Sequence, residues 1–424
     1  MHPWRWAMFS ALAAVPVAVM VATADAQVAP PPDNPARVIQ DRIDAAQAGD
    51  EIVIPPGRWV GHLRIDKPIT IDGLGKATID GGGEGTVILV KTNGATVKGL
   101  RVVGSGALHD RDDSGIRVEG NGNVIKDNVL DDTLFGIDLH QSNHTSIRRN
   151  RITSKPFELG VRGDAIRLWY SHDNIIADNV IKDSRDFVLW YSKRNHVFGN
   201  ESSGSRYGMH FMFAADNVIE NNRFWGNSVG MSMMYDEGDV IRGNIVSHAT
   251  GATGMCLSFK EASNITVENN ELIYCANGVF LDISPFQPDT VNTFTGNRIA
   301  FTDIAISFLN DWKGNIFKSN TIESNMTEVA VFGGGSAKRN EWDGNTWDSY
   351  EGFDRDGDGV GDTPHRVLGY AGRIWMDVPN TRFFKGTAVL EVIDFLDRLA
   401  PFSEPELLME DRHPKMNNKP ETKS

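Results

Sequence analysis

Cysteine is almost missing from this chain: two residues among 424, Cys256 and Cys275. A disulfide-framed fold is thereby excluded, since such frameworks need several bridges. Positive charge is also short. Lys and Arg number 42 against 56 Asp and Glu, for a net charge of −14 and a sequence pI near 5.3. Nucleic acid, anionic lipid and polyanionic sugars are therefore poor general partners. Beyond residue 26 no stretch approaches the roughly 20 apolar residues a membrane-spanning helix needs. No lipid-attachment cysteine follows the N-terminal apolar run either.

That N-terminal run reads as a secretory signal over residues 1–26. Arg5 supplies the positive end, Ala7 to Ala22 is small or apolar, and Ala24-Asp25-Ala26 is a small-residue cleavage site. Cleavage after Ala26 predicts export to the periplasm. The alternative, a membrane anchor, fits the short run less well.

What the chain has in quantity is a recurring Asn-x-x-x-x-Asn frame between Asn123 and Asn345. It appears as Asn123/Asn128, Asn174/Asn179, Asn195/Asn200, Asn217/Asn222, Asn264/Asn269, Asn292/Asn297, Asn315/Asn320 and Asn340/Asn345. Looser copies stand at Thr145/Asn150 and Asp239/Asn244. The second positions step by 22, 29, 21, 22, 22, 25, 28, 23 and 25 residues. A fixed period near this length marks stacked supersecondary units. The runs between frames, such as Gly208-Met-His-Phe-Met-Phe213, are short, apolar and bounded by Gly, Asn, Asp and Ser, which is strand chemistry. Asn suits corners because it tolerates the left-handed backbone region, and stacked Asn amides can bond as a ladder. The predicted fold is all-β: a right-handed parallel β-helix solenoid, with an N-terminal capping helix, a C-terminal acidic loop and a helical tail.

The predicted segments are a leader over 27–35, a capping helix over 36–50 and the β-helix over 51–346. An acidic loop over 347–366, a capping or docking segment over 367–413 and a disordered tail over 414–424 follow. The helical pattern between Gly386 and Leu399 is amphipathic, carrying Val389, Leu390, Val392, Ile393, Leu396 and Leu399.

Alternation sorts each strand into two faces. Counted from the frame, Ile166, Leu168, Tyr170, Phe187, Leu189, Tyr191, Met209, Phe211, Phe213, Met231, Met233, Tyr235, Met255, Leu257 and Phe259 fall on the core side. The outward side then carries two rows: Asp138, Arg167, Val188, His210, Ser232, Cys256, and His140, Trp169, Trp190, Met212, Met234, Ser258. Imidazole, thioether and thiol form a soft ligand set suited to Cu(I). His210, Met212, Met234 and Cys256 are therefore copper candidates. Asp138, His140, Arg167, Trp169 and Trp190 are a candidate partner or ligand surface, because exposed apolar stripes mark interaction sites. Metal binding and partner docking are compatible and both stay open. Counted from the frame, Cys256 and Cys275 lie on different faces of neighbouring coils, so no disulfide is predicted.

In the acidic loop Asp354, Asp356, Asp358, Val360 and Asp362 have the 1, 3, 5, 7, 9 spacing of a calcium loop, with Gly359 at the sharp-turn position. His365 stands where the bidentate Glu belongs, so for a structural calcium ion that ligand is missing or comes from elsewhere in the chain.

The coils with Leu168-Trp-Tyr-Ser171, Leu189-Trp-Tyr-Ser192, Gly208-Met-His-Phe-Met-Phe213 and Met233-Met-Tyr235, followed by Tyr350-Glu-Gly-Phe-Asp-Arg-Asp-Gly-Asp-Gly359, resemble the NosD family. The resemblance covers roughly residues 36 to 410. It implies a non-enzymatic periplasmic accessory role in maturing the copper–sulfur centre of nitrous oxide reductase. Implied partners are an ABC transporter of ATPase and permease subunits, a copper-chaperone lipoprotein and the reductase. Copper would be held transiently. The rival is a secreted polysaccharide lyase, hydrolase or epimerase on the same fold, with Trp169 and Trp190 as a sugar platform and Asp138 beside Arg167 as acid and cation. Against it, glycoside hydrolysis needs two carboxylates flanking the bond, and the rows offer Asp138 without a partner acid. A passive adhesin would not need the His and Met rows.

Overall fold

Short apolar triplets set the architecture. Val124-Ile-Lys126, Val180-Ile-Lys182 and Val240-Ile-Arg242 each form a three-residue strand whose central Ile is fully buried. A three-residue strand buries one side chain and exposes its flanks, so it becomes stable only when identical strands stack above and below. The computed structural model, which describes residues 34–370, 372–400 and 404–417, shows that stack. The predicted signal segment, all but the end of the leader, and residues 418–424 of the tail lie outside the described residues.

The chain winds as a right-handed parallel β-helix of about 13 turns. A representative turn holds three strands, Ile175–Ala177, Val180–Lys182 and Asp186–Trp190. Strands of the first two kinds join a 25-stranded sheet, and those of the third stack into a 12-stranded sheet. Pairing is parallel and in register: Ile147 sits between Ile125 and Ile176, and Val197 against Ile219.

Asparagine holds the corners from inside. Along the second frame position, each Asn accepts the backbone N–H of the Asn one turn earlier. Asn179 N–H, for example, donates to Asn200 Oδ1 at 3.0 Å, and its side-chain amide donates to the same oxygen at 2.9 Å. The ladder runs through Asn128, Asn150, Asn179, Asn200, Asn222, Asn244, Asn270, Asn297, Asn320 and Asn345. Each amide also donates to a carbonyl of the adjoining coils, as Asn222 does to Val197 at 3.0 Å. Truncating one rung to Ala would orphan several buried groups and cost about 1–3 kcal/mol.

Two expectations are corrected here. The left-handed residue is not the ladder Asn but the one before it: Asp127, Arg149, Asp178, Asn221 and Asn269 all have φ between 51° and 58°. The corner bend is made by that exposed residue, which frees the following Asn to point inward. In one coil the ladder residues are accordingly Ile265 and Asn270, not Asn264 and Asn269, which both take the left-handed bend.

Helix α1 (Arg37–Ala45) buries Ile39 and Ile43 against the first turn, and the Lys67 amine donates to the carbonyls of Asp44 and Ala46 at its C-terminal end, at 2.7 and 2.8 Å. At the far end an antiparallel hairpin pairs His365–Gly369 with Glu406–Asp411. Helices α2 (Arg373–Asp377) and α3 (Ala388–Leu399) lie within that hairpin's connection. Trp375, Met376 and Leu408 pack on Ile304, Ala330 and Phe332 of the last turns, with Leu390 of α3 against the same cluster. Val389, Val392, Phe395 and Leu399 of α3 remain exposed. The start of the expected disordered tail is instead tied down: Lys415 N–H donates to the Asn345 carbonyl at 2.9 Å and Met416 N–H to that of Gly359 at 3.0 Å.

Candidate functional site

The outer face of the 12-stranded sheet carries the unusual side chains. Register places Asp138, Arg167, Val188, His210, Ser232 and Ser258 in one row. A second row runs His140, Trp169, Trp190, Met212, Met234, Lys260. Cys256 belongs to neither, because counting from the misplaced Asn264 frame shifts that coil by two residues. Leu257 and Phe259 are the true core partners of Met231 and Met233. Met255, expected inside, is half-buried and pairs with Val229, which in turn pairs with Tyr207. Cys256 is fully buried and forms a disulfide with Cys275, with Cα atoms 5.7 Å apart. As a disulfide sulfur it cannot be a thiolate ligand, so both the open-thiol and the unpaired-cysteine expectations fail.

His210, Met212 and Met234 do share one face of the sheet. Met212 and Met234 are register partners on adjacent strands, roughly 4.8 Å apart in the sheet, and both are half-buried. His210, on the same strand as Met212, is 8% exposed. Its ring lies 4.7 Å from that of Tyr207, and its Nδ1 is 3.4 Å from Asp186 Oδ2. His210 Nε2 is buried without a hydrogen-bond partner, as are Trp190 Nε1 and the Ser232 hydroxyl. Imidazole nitrogen and two thioethers on one face are the donors expected to take a soft monovalent cation.

Asp186 was not singled out from the sequence, although alternation carried one step back from Val188 puts it on this face. Arg206 Nε donates to its Oδ1 at 3.0 Å, and the Arg206 Nη2 to its other oxygen. Burial works against the charge on Asp186, but hydrogen bonds from His210 and Arg206 outweigh it and hold the carboxyl below the usual range. Asp164 nearby accepts two bonds from Arg185, at 3.0 and 3.1 Å. There burial is the strongest influence and pushes its pKa up to about 6, against the opposing charge of Arg185.

At the other end of the first row the expected open acid and cation are closed on one another. Asp138 has no exposed surface and accepts Arg167 at 2.9 and 3.1 Å. Arg167 also reaches Asp112 at 2.7 Å and lies 4.3 Å over the Phe135 ring. Asp112 follows a short 3-10 turn, His109–Arg111, which brings its loop onto this end of the row. Asp138 and Arg167 are therefore not a surface, because each satisfies the other.

The second row keeps its expected half-exposure at His140, Trp169 and Trp190. Trp169 and Trp190 meet edge to face with ring centres 4.7 Å apart. Beside them Tyr170, Tyr191, Phe213 and Tyr235 stack in parallel at 4.8, 5.0 and 4.8 Å. These four were expected in the core. Each falls after the strand ends, at a left-handed residue that breaks the alternation and swings the ring outward. The result is a continuous aromatic and thioether strip, with the Lys260 amine 5.6 Å from the Tyr235 ring.

In the acidic loop, carboxylate oxygens of Asp354, Asp356 and Asp358 lie within 4.8 Å of one another. Several also cap the loop's own backbone: Gly357 and Gly359 donate to Asp354 at 2.7 and 2.9 Å, Val360 to Asp358 at 2.8 Å, and Arg355 to Asp362 at 2.9 Å. His365 turns away from them, its Nε2 3.1 Å from Glu328 and its ring against Trp347.

Comparison with known proteins bears on this geometry. Residues 149–352, which carry His210, Met212 and Met234, match the family described as "Periplasmic copper-binding protein (NosD)", and residues 86–197 match "Right handed beta helix region". The chain is 25% identical over 377 residues to the "Probable ABC transporter binding protein NosD" of Pseudomonas aeruginosa, covering 81% of this chain and 83% of that protein. Among solved structures, the surface adhesin PfbA of Streptococcus pneumoniae is 15% identical with a TM-score of 0.52, covering 72% of this chain and 90% of that one. The mannuronan C-5 epimerase AlgE4 A-module of Azotobacter vinelandii is 14% identical with a TM-score of 0.48, covering 71% and 94%. At 15% identity the adhesin shares the fold and nothing finer. Among the described residues no helix is long and apolar enough to cross a membrane. The segment that bears the His and Met side chains is the one that matches the NosD family model, wound on a right-handed parallel β-helix.

Proposed function

We propose that this chain is a periplasmic, non-enzymatic accessory protein that receives Cu(I) at His210, Met212 and Met234 for the copper–sulfur centre of nitrous oxide reductase. The observation that carries the reading is the buried, unpartnered Nε2 of His210 on one face with two register-paired, half-buried thioethers. A buried nitrogen lone pair left without a donor is costly, and a soft cation would satisfy it together with the sulfurs. The family match over this segment supports copper as the cargo, and the name of the Pseudomonas aeruginosa relative supports an ABC transporter as partner.

In this reading the strip from Trp169 to Tyr235 is the landing surface for the protein that delivers or accepts the metal, a copper-chaperone lipoprotein or the reductase. The exposed apolar side of α3 serves the ATPase–permease complex. The Asp354 loop takes calcium in a structural role, with Asp354, Asp356, Asp358, the Val360 carbonyl and Asp362 as its ligands.

The test is Cu(I) titration against a competing chromophoric chelator. The wild-type protein is expected to bind one equivalent, and a combined His210→Ala, Met212→Ala, Met234→Ala variant none. Equal stoichiometry in the two proteins rejects the site. In the same samples calcium should raise the unfolding temperature of the wild type and leave an Asp354→Asn, Asp356→Asn variant unmoved.

A further inference from the structure

We infer that Asp186 is a positioning residue that fixes the tautomer of His210, holding the proton on Nδ1 so that the Nε2 lone pair is the open one. This rests on the reading of His210 as a copper ligand and adds to it a residue outside the ligand set. The two ring nitrogens have different surroundings. Nδ1 is 3.4 Å from a carboxylate oxygen of Asp186, a group that can only accept while ionised. Nε2 has no partner and no solvent.

A neutral imidazole carries one proton, and the site at which it can be donated wins. Arg206 fixes the carboxylate in turn, contacting both of its oxygens. The Tyr207 ring, 4.7 Å from the imidazole, limits its rotation. Asp186 is 2% exposed and Val188, between it and Trp190 on the outer face, is 4% exposed, so the carboxylate that faces Nδ1 is itself shielded from water. A carboxylate behind a ligating imidazole both orients the ring and raises the basicity of the nitrogen opposite.

Asp186→Asn reverses the arrangement. Arg206 Nε and the Tyr207 N–H both donate to Oδ1, at 3.0 and 3.3 Å, so the amide oxygen takes that position and the NH2 replaces Oδ2, the atom that faces His210. An NH2 donates to Nδ1, which forces the proton to Nε2 and blocks the lone pair. Asp186→Glu retains an acceptor.

The experiment is a two-bond proton–nitrogen correlation spectrum of the full-length protein labelled with 15N-histidine, with the His210 signals identified by their loss in His210→Gln. Wild type is expected to show the Nδ1–H tautomer, Asp186→Asn a shift to Nε2–H, and Asp186→Glu the wild-type pattern. Cu(I) affinity should fall about tenfold to a hundredfold in Asp186→Asn and recover in Asp186→Glu. An Nε2–H tautomer in the wild type overturns the inference, a result that needs no variant to fold. So does an unchanged tautomer in Asp186→Asn. If the tautomer behaves as expected and wild-type protein binds no Cu(I), the copper reading fails while the positioning by Asp186 stands.

Discussion

Asp239 stands in the first-position ladder where neighbouring turns have Asn195 and Asn217. Its Oδ1 accepts Asn217 N–H at 2.8 Å and the Asn217 side-chain amide at 3.1 Å. Its Oδ2, like that of Asp236 beside it, is buried with no partner. Burial is the main reason its pKa is pushed up from 3.8 to about 7, and Asp236 is raised well above the ordinary value by burial and then by the charge of Asp239. Both acids are thus favoured as neutral groups in the folded chain. The sign follows: a carboxyl raised on folding contributes stability fully below about pH 4, and that contribution is lost as pH climbs towards 7. Asp239→Asn should add about 1–3 kcal/mol at pH 8 and little at pH 4. Its new amide can donate to the Ala214 carbonyl, as Asn217 does to that of Ser192 at 3.3 Å. Urea unfolding at the two pH values checks this, and a variant less stable than wild type at pH 8 contradicts it.

At the scale of single strands and corners, what could be read in the sequence was set by what repeats. The triplets with a central Ile and the Asn pairs recur in register, so the stacked-strand fold and the outward placement of His210, Met212 and Met234 follow from periodicity alone. Three things escaped, because periodicity and alternation do not encode them. The exposed Asn264 and Asn269 mimic the frame, and the coil counted from them is displaced by two residues, which misplaced Cys256, Met255 and Ser258. The left-handed residue at each strand end breaks alternation, which moved Tyr170, Tyr191, Phe213 and Tyr235 from core to surface. The loop holding Asp112 reaches Arg167 across 55 residues of sequence (167 − 112), a contact no local pattern encodes. The Cys256–Cys275 bridge joins adjacent turns inside the core, at a sequence separation of 19. Replacing both with Ser should cost about 2–4 kcal/mol in denaturant unfolding. Cu(I) stoichiometry should not change, since neither sulfur lies in the His and Met rows. A loss of copper binding in that variant, at a temperature where it remains folded, would contradict the placement of Cys256.

For the molecule as a whole, stability is close to a sum over neighbouring turns. Arg298 and Thr321 are register partners, so deleting residues 298–320 joins Asn297 to a strand of the same kind. The shortened protein is expected to retain its β circular dichroism, melt a few degrees lower and bind Cu(I) as the wild type does, because the site lies on earlier turns. A deletion that unfolds the chain would show the turns to be less independent than the ladder suggests. The ladder itself stops at Asp411, whose Oδ2 accepts the backbone N–H and side-chain amide of Asn345 at 3.0 and 2.9 Å and the Trp347 indole at 3.1 Å. An asparagine there would offer a fresh amide to whatever docked next, whereas a carboxylate offers none. Fibre growth proceeds by such docking, one chain's open edge templating another. The terminal acid thus acts as a full stop: at Asp411 the ladder has no amide hydrogen left to pass on to a second copy.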